Sequence, residues 1–300
     1  VADGRWAQTA FADRSEQLDL ARRQWRQVTQ GNGRVVMISG EPGIGKSRFV
    51  HQFLREVDDE AMVQIYQANP YNQDSPLYPL IQRFRAVANI DRGDSPETIR
   101  QKLDAVVVGE GPDRQERLDI FASLLTPVAI DQPQSQVVAK QQRERTLKAI
   151  VDYFVLRSRT QPIVLVVDDF QWLDPTSVEL LDRIIHAIPD QRVYVMITSR
   201  EGFHSPWEPL PHVTRLEMGR LPLEDARALI SGLAQGTSLT KAVINEIVEQ
   251  TDGIPLFVEE LTKSVVELDF ERSAKGRRKQ RGDAGSGVPI SLQYSLMERL

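Results

Sequence analysis

The run Gly40-Glu41-Pro42-Gly43-Ile44-Gly45-Lys46-Ser47 constrains this chain more than any other stretch. It lies between a short apolar segment, Val35–Ile38, and a segment of helical spacing from Lys46 to about Val57. Glycines at these positions let the backbone curl so that successive N–H groups point inward. The helix that follows aims the positive end of its dipole at the same place. Such a concavity suits phosphate oxygens: Lys46 can reach the β- and γ-phosphates of a nucleotide, and the Ser47 hydroxyl can ligate Mg²⁺. With ordinary residue frequencies, about one chain in a hundred of this length would match G-x-x-x-x-G-K-[ST] by chance. The strand before it and the helix after it lower that chance further.

A phosphate loop does not hold Mg²⁺ alone; a carboxylate has to arrive from a neighbouring strand. Ile163–Val167 is the purest apolar run, and it ends in Asp168-Asp169. Asp168 is the candidate for metal coordination through water, and Asp169, one residue on, for the base that orients the attacking water. Asp is shorter than Glu, so hydrolysis is expected to be slow. Another apolar run ends in Thr198-Ser199-Arg200. In a parallel sheet the carboxyl ends of the strands share the ligand side, so Arg200 is placed to sense a γ-phosphate.

The remaining chain supports an α/β reading. Apolar segments at Val35–Ile38, Met62–Gln67, Ile163–Val167, Val193–Thr198 and Val213–Glu217 alternate with helical patterns, which predicts a mainly parallel sheet with helices on both faces. Residues 15–29 read as a helix with Leu18, Ala21 and Trp25 on one face, and Pro76 to Arg159 is mostly helical, broken at Gly109–Pro112 and Asp131–Pro133. Beyond Pro222 the segments Ala226–Leu233, Val243–Val248 and Leu256–Val266 keep helical spacing and form a separate small unit. Arg272–Gly287 is poor in apolar residues and reads as a mobile linker. Its five basic residues between Lys275 and Arg281 read as a solvated loop rather than a nucleic-acid or lipid contact.

Composition excludes several classes. A net charge of −5 argues against wholesale nucleic-acid binding, and the absence of cysteine excludes disulfides and thiolate metal sites. It also fits a reducing compartment, so a cytoplasmic location is expected. No apolar run approaches the ~18 residues needed to cross a bilayer. The four histidines, His51, His186, His204 and His212, show no metal-ligand spacing. The start lacks both a signal pattern and an initiator Met, and Ser291–Leu300 reads as an unfinished amphipathic helix, so a piece of a longer polypeptide is expected.

Together these segments resemble the signal-transduction ATPases with numerous domains, the STAND class of the AAA+-like P-loop fold. They are most similar to modules found in class III adenylate cyclases and in multidomain regulators with tetratricopeptide repeats. Phe11-Ala12-Asp13-Arg14-Ser15-Glu16 resembles the opening Gly-Arg-x-x-Glu motif, with Asp13 in place of the Gly. Tyr66–Pro79 is similar to the family's segment after the second strand, and Asp168–Leu181 to its acidic-strand signature, with Trp172 and Asp174-Pro175 in place. In that signature Trp172 is expected to wedge the following helix rather than stack on a base. Gly253-Ile254-Pro255, leading into Leu256–Leu261, resembles the Gly-x-Pro motif of the helical lid.

The resemblance implies a nucleotide switch that holds ADP in a closed state, with Pro255 touching the base or ribose, and opens its lid on exchange for ATP. It implies ATP rather than GTP, a winged-helix region beginning near the VPISLQYSLMERL end, and an output domain elsewhere in the parent protein. No cyclase pattern is present here. Arg183 and Arg192 lie near where AAA+ rings place an arginine finger, but solubility and strand-edge charge explain them as well.

The expected organisation is a P-loop ATPase core at 11–220, a helical lid at 221–270, a linker at 271–288 and the start of a winged-helix region at 289–300. ATP or ADP would be held by Gly40, Glu41, Pro42, Gly43, Ile44, Gly45, Lys46, Ser47 and Arg48, with Pro255 from the lid. Mg²⁺ would be held by Ser47 and Asp168, and Lys46, Asp169 and Arg200 would carry catalysis. Partners would be output and sensor domains, with ligand-dependent oligomers possible, no membrane and no direct nucleic-acid contact. The competing readings are a ring-forming remodelling ATPase, a small-molecule phosphotransferase, and a scaffold that binds nucleotide without hydrolysing it.

Overall fold

A computed structural model describes residues 14–126, 136–203, 205–234 and 239–276. Phe11–Asp13, the break at Asp131–Pro133, His204 and the expected winged-helix start at 289–300 lie outside these residues. The chain divides into two compact units, one of Gln17–Ser39 and Val50–Leu216, the other of Val1–Glu16, Gly40–Phe49 and Glu217–Leu300.

The first unit is built on a five-stranded parallel sheet of β1 (Arg34–Gly40), β2 (Met62–Gln67), β3 (Ile163–Asp168), β4 (Val193–Arg200) and β5 (Val213–Glu217), in the order β2-β3-β4-β1-β5. The core of β3 is uniformly apolar because a central parallel strand is covered on both faces, and Ile163 to Val167 are all buried. Its register runs from Met62 opposite Ile163 to Gln67 opposite Asp168 on one side, and from Ile163 opposite Val193 to Val167 opposite Ile197 on the other. The acidic strand is therefore not the immediate neighbour of β1. β4 stands between them.

Helices flank the sheet: α1 (Ser15–Thr29), α2 (Lys46–Val57), α3 (Tyr78–Val87), α4 (Pro96–Asp104), α5 (Gly111–Leu125), α6 (Gln136–Thr160) and α7 (Pro175–Ala187). On α1, Leu18, Ala21, Trp25 and Val28 repeat at three- and four-residue spacing and all are buried. Trp25 packs on Phe53 and Tyr194 with ring centroids 6.4 and 6.5 Å apart. Tyr194 is fully buried, which pushes its phenol pKa up, and it donates to Gln24 Oε1 at 2.8 Å. Gln24 in turn donates to Thr214 Oγ1 at 2.7 Å, so a polar pair inside this core is satisfied. The stretch expected to be mostly helical resolves into α3 to α6, joined through an aromatic cluster of Phe84, Phe121 and Tyr153.

The second unit contains the loop 40–49 and three helices, α8 (Leu223–Leu233), α9 (Lys241–Thr251) and α10 (Pro255–Gly276). Ala226, Leu229, Ile230, Ile247, Val258 and Leu261 form its own apolar core. Burial of each large side chain there contributes about 1.5–3 kcal/mol. Thr240 caps α9 by accepting from the Val243 N–H at 3.4 Å. The final helix runs to Gly276, into the stretch expected to be a linker; the rest of that stretch lies outside the described residues. No helix among the described residues is long and apolar enough to cross a membrane.

Candidate nucleotide site

The phosphate loop takes the form its glycines allow. Gly43 and Gly45 have φ of +76° and +99°, in the region L side chains avoid. A Cβ at Gly40 would lie 2.7 Å from the Met218 carbonyl oxygen, closer than real Cβ atoms approach. A Cβ at Gly45 would meet nothing within 4 Å, so that side of the loop has room for a ligand group. The Ile44 side chain is buried and anchors the loop, whose backbone closes a turn from the Ile44 N–H to the Glu41 carbonyl at 3.3 Å. Pro42 is exposed beside it.

Lys46 opens α2 and folds back, donating from Nζ to the carbonyls of Gly40 at 2.9 Å and Glu41 at 3.0 Å. Its ammonium is thereby held over the loop. Ser47 is half-buried in the first turn of α2, where the first ladder bond runs from the Phe49 N–H to the Gly45 carbonyl at 2.9 Å. A curled loop with an open glycine face, a tethered ammonium and a hydroxyl at a helix start fits the phosphates of a nucleotide and their Mg²⁺.

The segment Gly253-Ile254-Pro255 meets this loop. Asp252 ends α9 in the left-handed conformation, Gly253 follows at φ +72°, and its carbonyl accepts from the Leu221 N–H at 2.9 Å. Pro255, buried, starts α10, where its missing N–H would have no helical partner. The next N–H, of Leu256, donates to the Gly43 carbonyl at 3.2 Å. A Cβ on Gly43 would stand 3.1 Å from Leu256 Cβ and 3.3 Å from Ile254 Cγ2, so an added methyl would crowd both side chains.

Two ion pairs reinforce the contact. Arg48 pairs with Glu259 on α10, and the side chains are only 13% and 11% exposed. Arg220 forks onto both carboxylate oxygens of Glu41, at 3.0 and 3.1 Å, and also pairs with Asp252. Glu41 and Arg48, expected to contact nucleotide, are thus paired with Arg220 and Glu259. Arg14, from the opening motif, is buried and donates to the Gly219 carbonyl at 2.7 Å; burial lowers its pKa, and Asp225 opposes the shift.

The acidic strand end is organised by a buried hydroxyl. Thr198 Oγ1 donates to Asp168 Oδ1 at 2.5 Å and accepts from the Asp169 N–H at 2.9 Å. Asp169 sits at φ +59°, a conformation Asp tolerates better than most residues. It starts a 3₁₀ turn, Phe170–Trp172, in which the Trp172 N–H donates to the Asp169 carbonyl at 2.9 Å. Gln171 Nε2 donates to Asp169 Oδ1 at 3.0 Å. Arg200 lies over the Trp172 ring, 5.4 Å from its centroid.

Trp172 is half-buried, and Phe170, buried beside it, packs on Phe203 and Trp207. Asp174 has a structural task, accepting from the N–H groups of Thr176 and Ser177 at 3.0 and 2.9 Å as the cap of α7. Arg183 pairs with Glu144 and Glu179, and Arg192 donates to the backbone at Ser158 and Arg159. Among the described residues no three His, Asp or Glu side chains gather as a metal cage. Mg²⁺ bound by a hydroxyl, phosphates and water needs none.

Residues 10–197 match the family described as AAA ATPase domain, which is more than half of the chain. The chain belongs to that family. This AAA ATPase domain is 28% identical over 258 residues to an uncharacterized protein of Rhizobium meliloti (strain 1021), covering 84% of the chain and 25% of that relative. The chain therefore spans about a quarter of that relative's length. Among solved structures it is similar to CDC6P from Pyrobaculum aerophilum, with a TM-score of 0.50 and 12% identity over 92% of this chain and 67% of that one. The E. coli MS115-1 HORMA:CdnC:Trip13 complex gives a TM-score of 0.51 and 12% identity over 97% and 89%. A Signal Transduction ATPase with Numerous Domains with a tetratricopeptide repeat sensor, from Pyrococcus horikoshii, gives 0.48 and 16% over 99% and 34%. At these identities the likeness is one of fold.

Two residues of the candidate site are given no role by motif reading. Glu259 and Arg220 are ordinary surface types in sequence, and only their partners in space mark them out. A faint signal existed for Glu259, since it lies four residues after Pro255 and so one helical turn along α10.

Proposed function

We propose that this AAA ATPase domain is a nucleotide switch that binds ATP with Mg²⁺, hydrolyses it slowly, and controls other domains of a larger polypeptide. The observation that carries the reading is the bond from the Leu256 N–H to the Gly43 carbonyl, braced by the Arg48–Glu259 pair. A group on the phosphate loop and a group on the lid motif are joined directly, so a change in what the loop holds bears on where α10 can sit. A lid coupled in this way suits a device that changes state with its nucleotide.

In this reading Lys46 and the loop N–H groups hold the phosphates, and Ser47 and Asp168 hold Mg²⁺, the latter through water. Mg²⁺ would supply charge neutralisation at the phosphates. Asp169 orients the attacking water and Arg200 registers the γ-phosphate. Thr198 fixes the Asp168 carboxylate and the Asp169 backbone together. The partners are output and sensor domains of the same polypeptide or of associated proteins.

The test is to denature the purified chain and quantify released nucleotide by ion-exchange chromatography. Near-stoichiometric ADP is expected of a resting switch. An empty protein that turns over added ATP rapidly would mark a turnover enzyme instead and overturn the switch reading.

A further inference from the structure

Arg200 differs from the arginines of this chain that pair with carboxylates. Arg22, Arg48, Arg183 and Arg220 each pair with a carboxylate. The Arg200 side chain, at the exposed carboxyl end of β4, has no hydrogen bond or ion pair among the described residues; its guanidinium carbon lies over the Trp172 ring, 5.4 Å from the centroid. The difference matters chemically. A carboxylate partner occupies guanidinium N–H donors and cancels the charge, whereas an aromatic ring takes only the flat face and leaves the in-plane fork of donors available.

The backbone that carries the ring is held at several points. Trp172 ends the turn Phe170–Trp172, closed by its N–H to the Asp169 carbonyl at 2.9 Å and by the Leu173 N–H to the Phe170 carbonyl at 2.9 Å. Phe170 pins the turn from below, against Phe203 at 4.8 Å and Trp207 at 5.7 Å. The turn starts at Asp169, whose N–H donates to Thr198, two residues before Arg200. A closed circuit results: Thr198 to Asp169 by hydrogen bond, Asp169 to Trp172 along the turn, Trp172 to Arg200 by stacking, and Arg200 back to Thr198 along β4.

We propose that Trp172 is a positioning residue: it holds the Arg200 guanidinium over its ring so that donors not engaged by the ring are presented to the terminal phosphate of a nucleoside triphosphate. This rests on the reading that Arg200 registers the γ-phosphate, and deepens it. A free Arg side chain would lose rotamer freedom on meeting the phosphate, and the stack removes much of that loss in advance. The pair therefore sharpens discrimination between triphosphate and diphosphate and leaves diphosphate affinity unchanged.

The experiment measures affinities of the full chain for ADP and for a non-hydrolysable ATP analogue, in the native protein and in Arg200→Ala, Trp172→Ala and Trp172→Phe. Thermal unfolding is followed alongside. Arg200→Ala is expected to remove the preference for the triphosphate. Trp172→Ala is expected to lower analogue affinity about 3- to 10-fold with ADP affinity unchanged, and Trp172→Phe to restore it to within about twofold. If Arg200→Ala removes the preference and Trp172→Ala does not change it, the positioning role is overturned while the Arg200 reading stands. If Arg200→Ala leaves the preference intact, the Arg200 reading falls and the proposal with it. Equal loss of both affinities in Trp172→Ala, unrelieved in Trp172→Phe, would reduce Trp172 to a structural role.

Discussion

Arg48 in the first turn of α2 and Glu259 in the second turn of α10 form an ion pair across 211 residues of sequence, with both side chains nearly buried. Breaking a fully buried pair by removing one partner costs about 3–5 kcal/mol because the other charge is left uncompensated. Residual exposure lowers that figure here. Glu259→Gln and Arg48→Ala are each expected to speed release of a fluorescent ADP by about 10-fold, since each loosens α10 from the loop. The exchanged pair Arg48→Glu with Glu259→Arg should recover part of the slow release. Identical release rates in all these proteins would separate the pair from lid control.

Lys46 donates to two carbonyls of its own loop and holds its charge over it. Lys46→Ala should weaken nucleotide binding by about 100-fold or more, the loss of charge-assisted bonds to phosphate. Calorimetric titration reads this directly. Undiminished affinity would remove the phosphate-loop assignment.

Gly43 is favoured twice, by its φ of +76° and by the close approach of Leu256 and Ile254. Gly31 is favoured once, since at φ +95° its Cβ would meet nothing within 4 Å. Gly43→Ala should therefore destabilise more than Gly31→Ala, by about 1–2 kcal/mol beyond the backbone strain they share. Denaturant unfolding of the two variants compares them, and equal losses would mean that Leu256 and Ile254 yield freely.

Thr198 is fully buried and serves Asp168 and Asp169 at once. Thr198→Val keeps its shape and removes both bonds, at an expected cost of about 1–3 kcal/mol in stability. Phosphate release under saturating ATP should fall as well. Asp169→Asn should leave nucleotide affinity intact and slow the same release. If turnover is unaffected by Asp169→Asn, the base lies elsewhere.

Much of this molecule could be read along the chain, because the features concerned are local. Alternation and helical spacing depend on neighbours within a few residues, so the five strands and the helices of Pro76–Arg159 were legible. The loop Gly40–Ser47 was legible for the same reason: glycine curvature, helix start and Lys46 are set within eight residues. Asp174, by contrast, read as part of a signature, and its structural work as the cap of α7 appeared only once its two N–H donors were in place.

The sequence by itself determined which segments are strands, where the phosphate loop turns, and which strand ends in two acids. Tertiary structure alone decided that β4 stands between β1 and β3, that Arg48 finds Glu259, that Arg220 finds Glu41, and that Arg200 stacks on Trp172. The physical reason is common to all four. Backbone periodicity is written into neighbouring residues, whereas a charge or a ring accepts any partner of suitable chemistry. Only the packing of distant segments selects one.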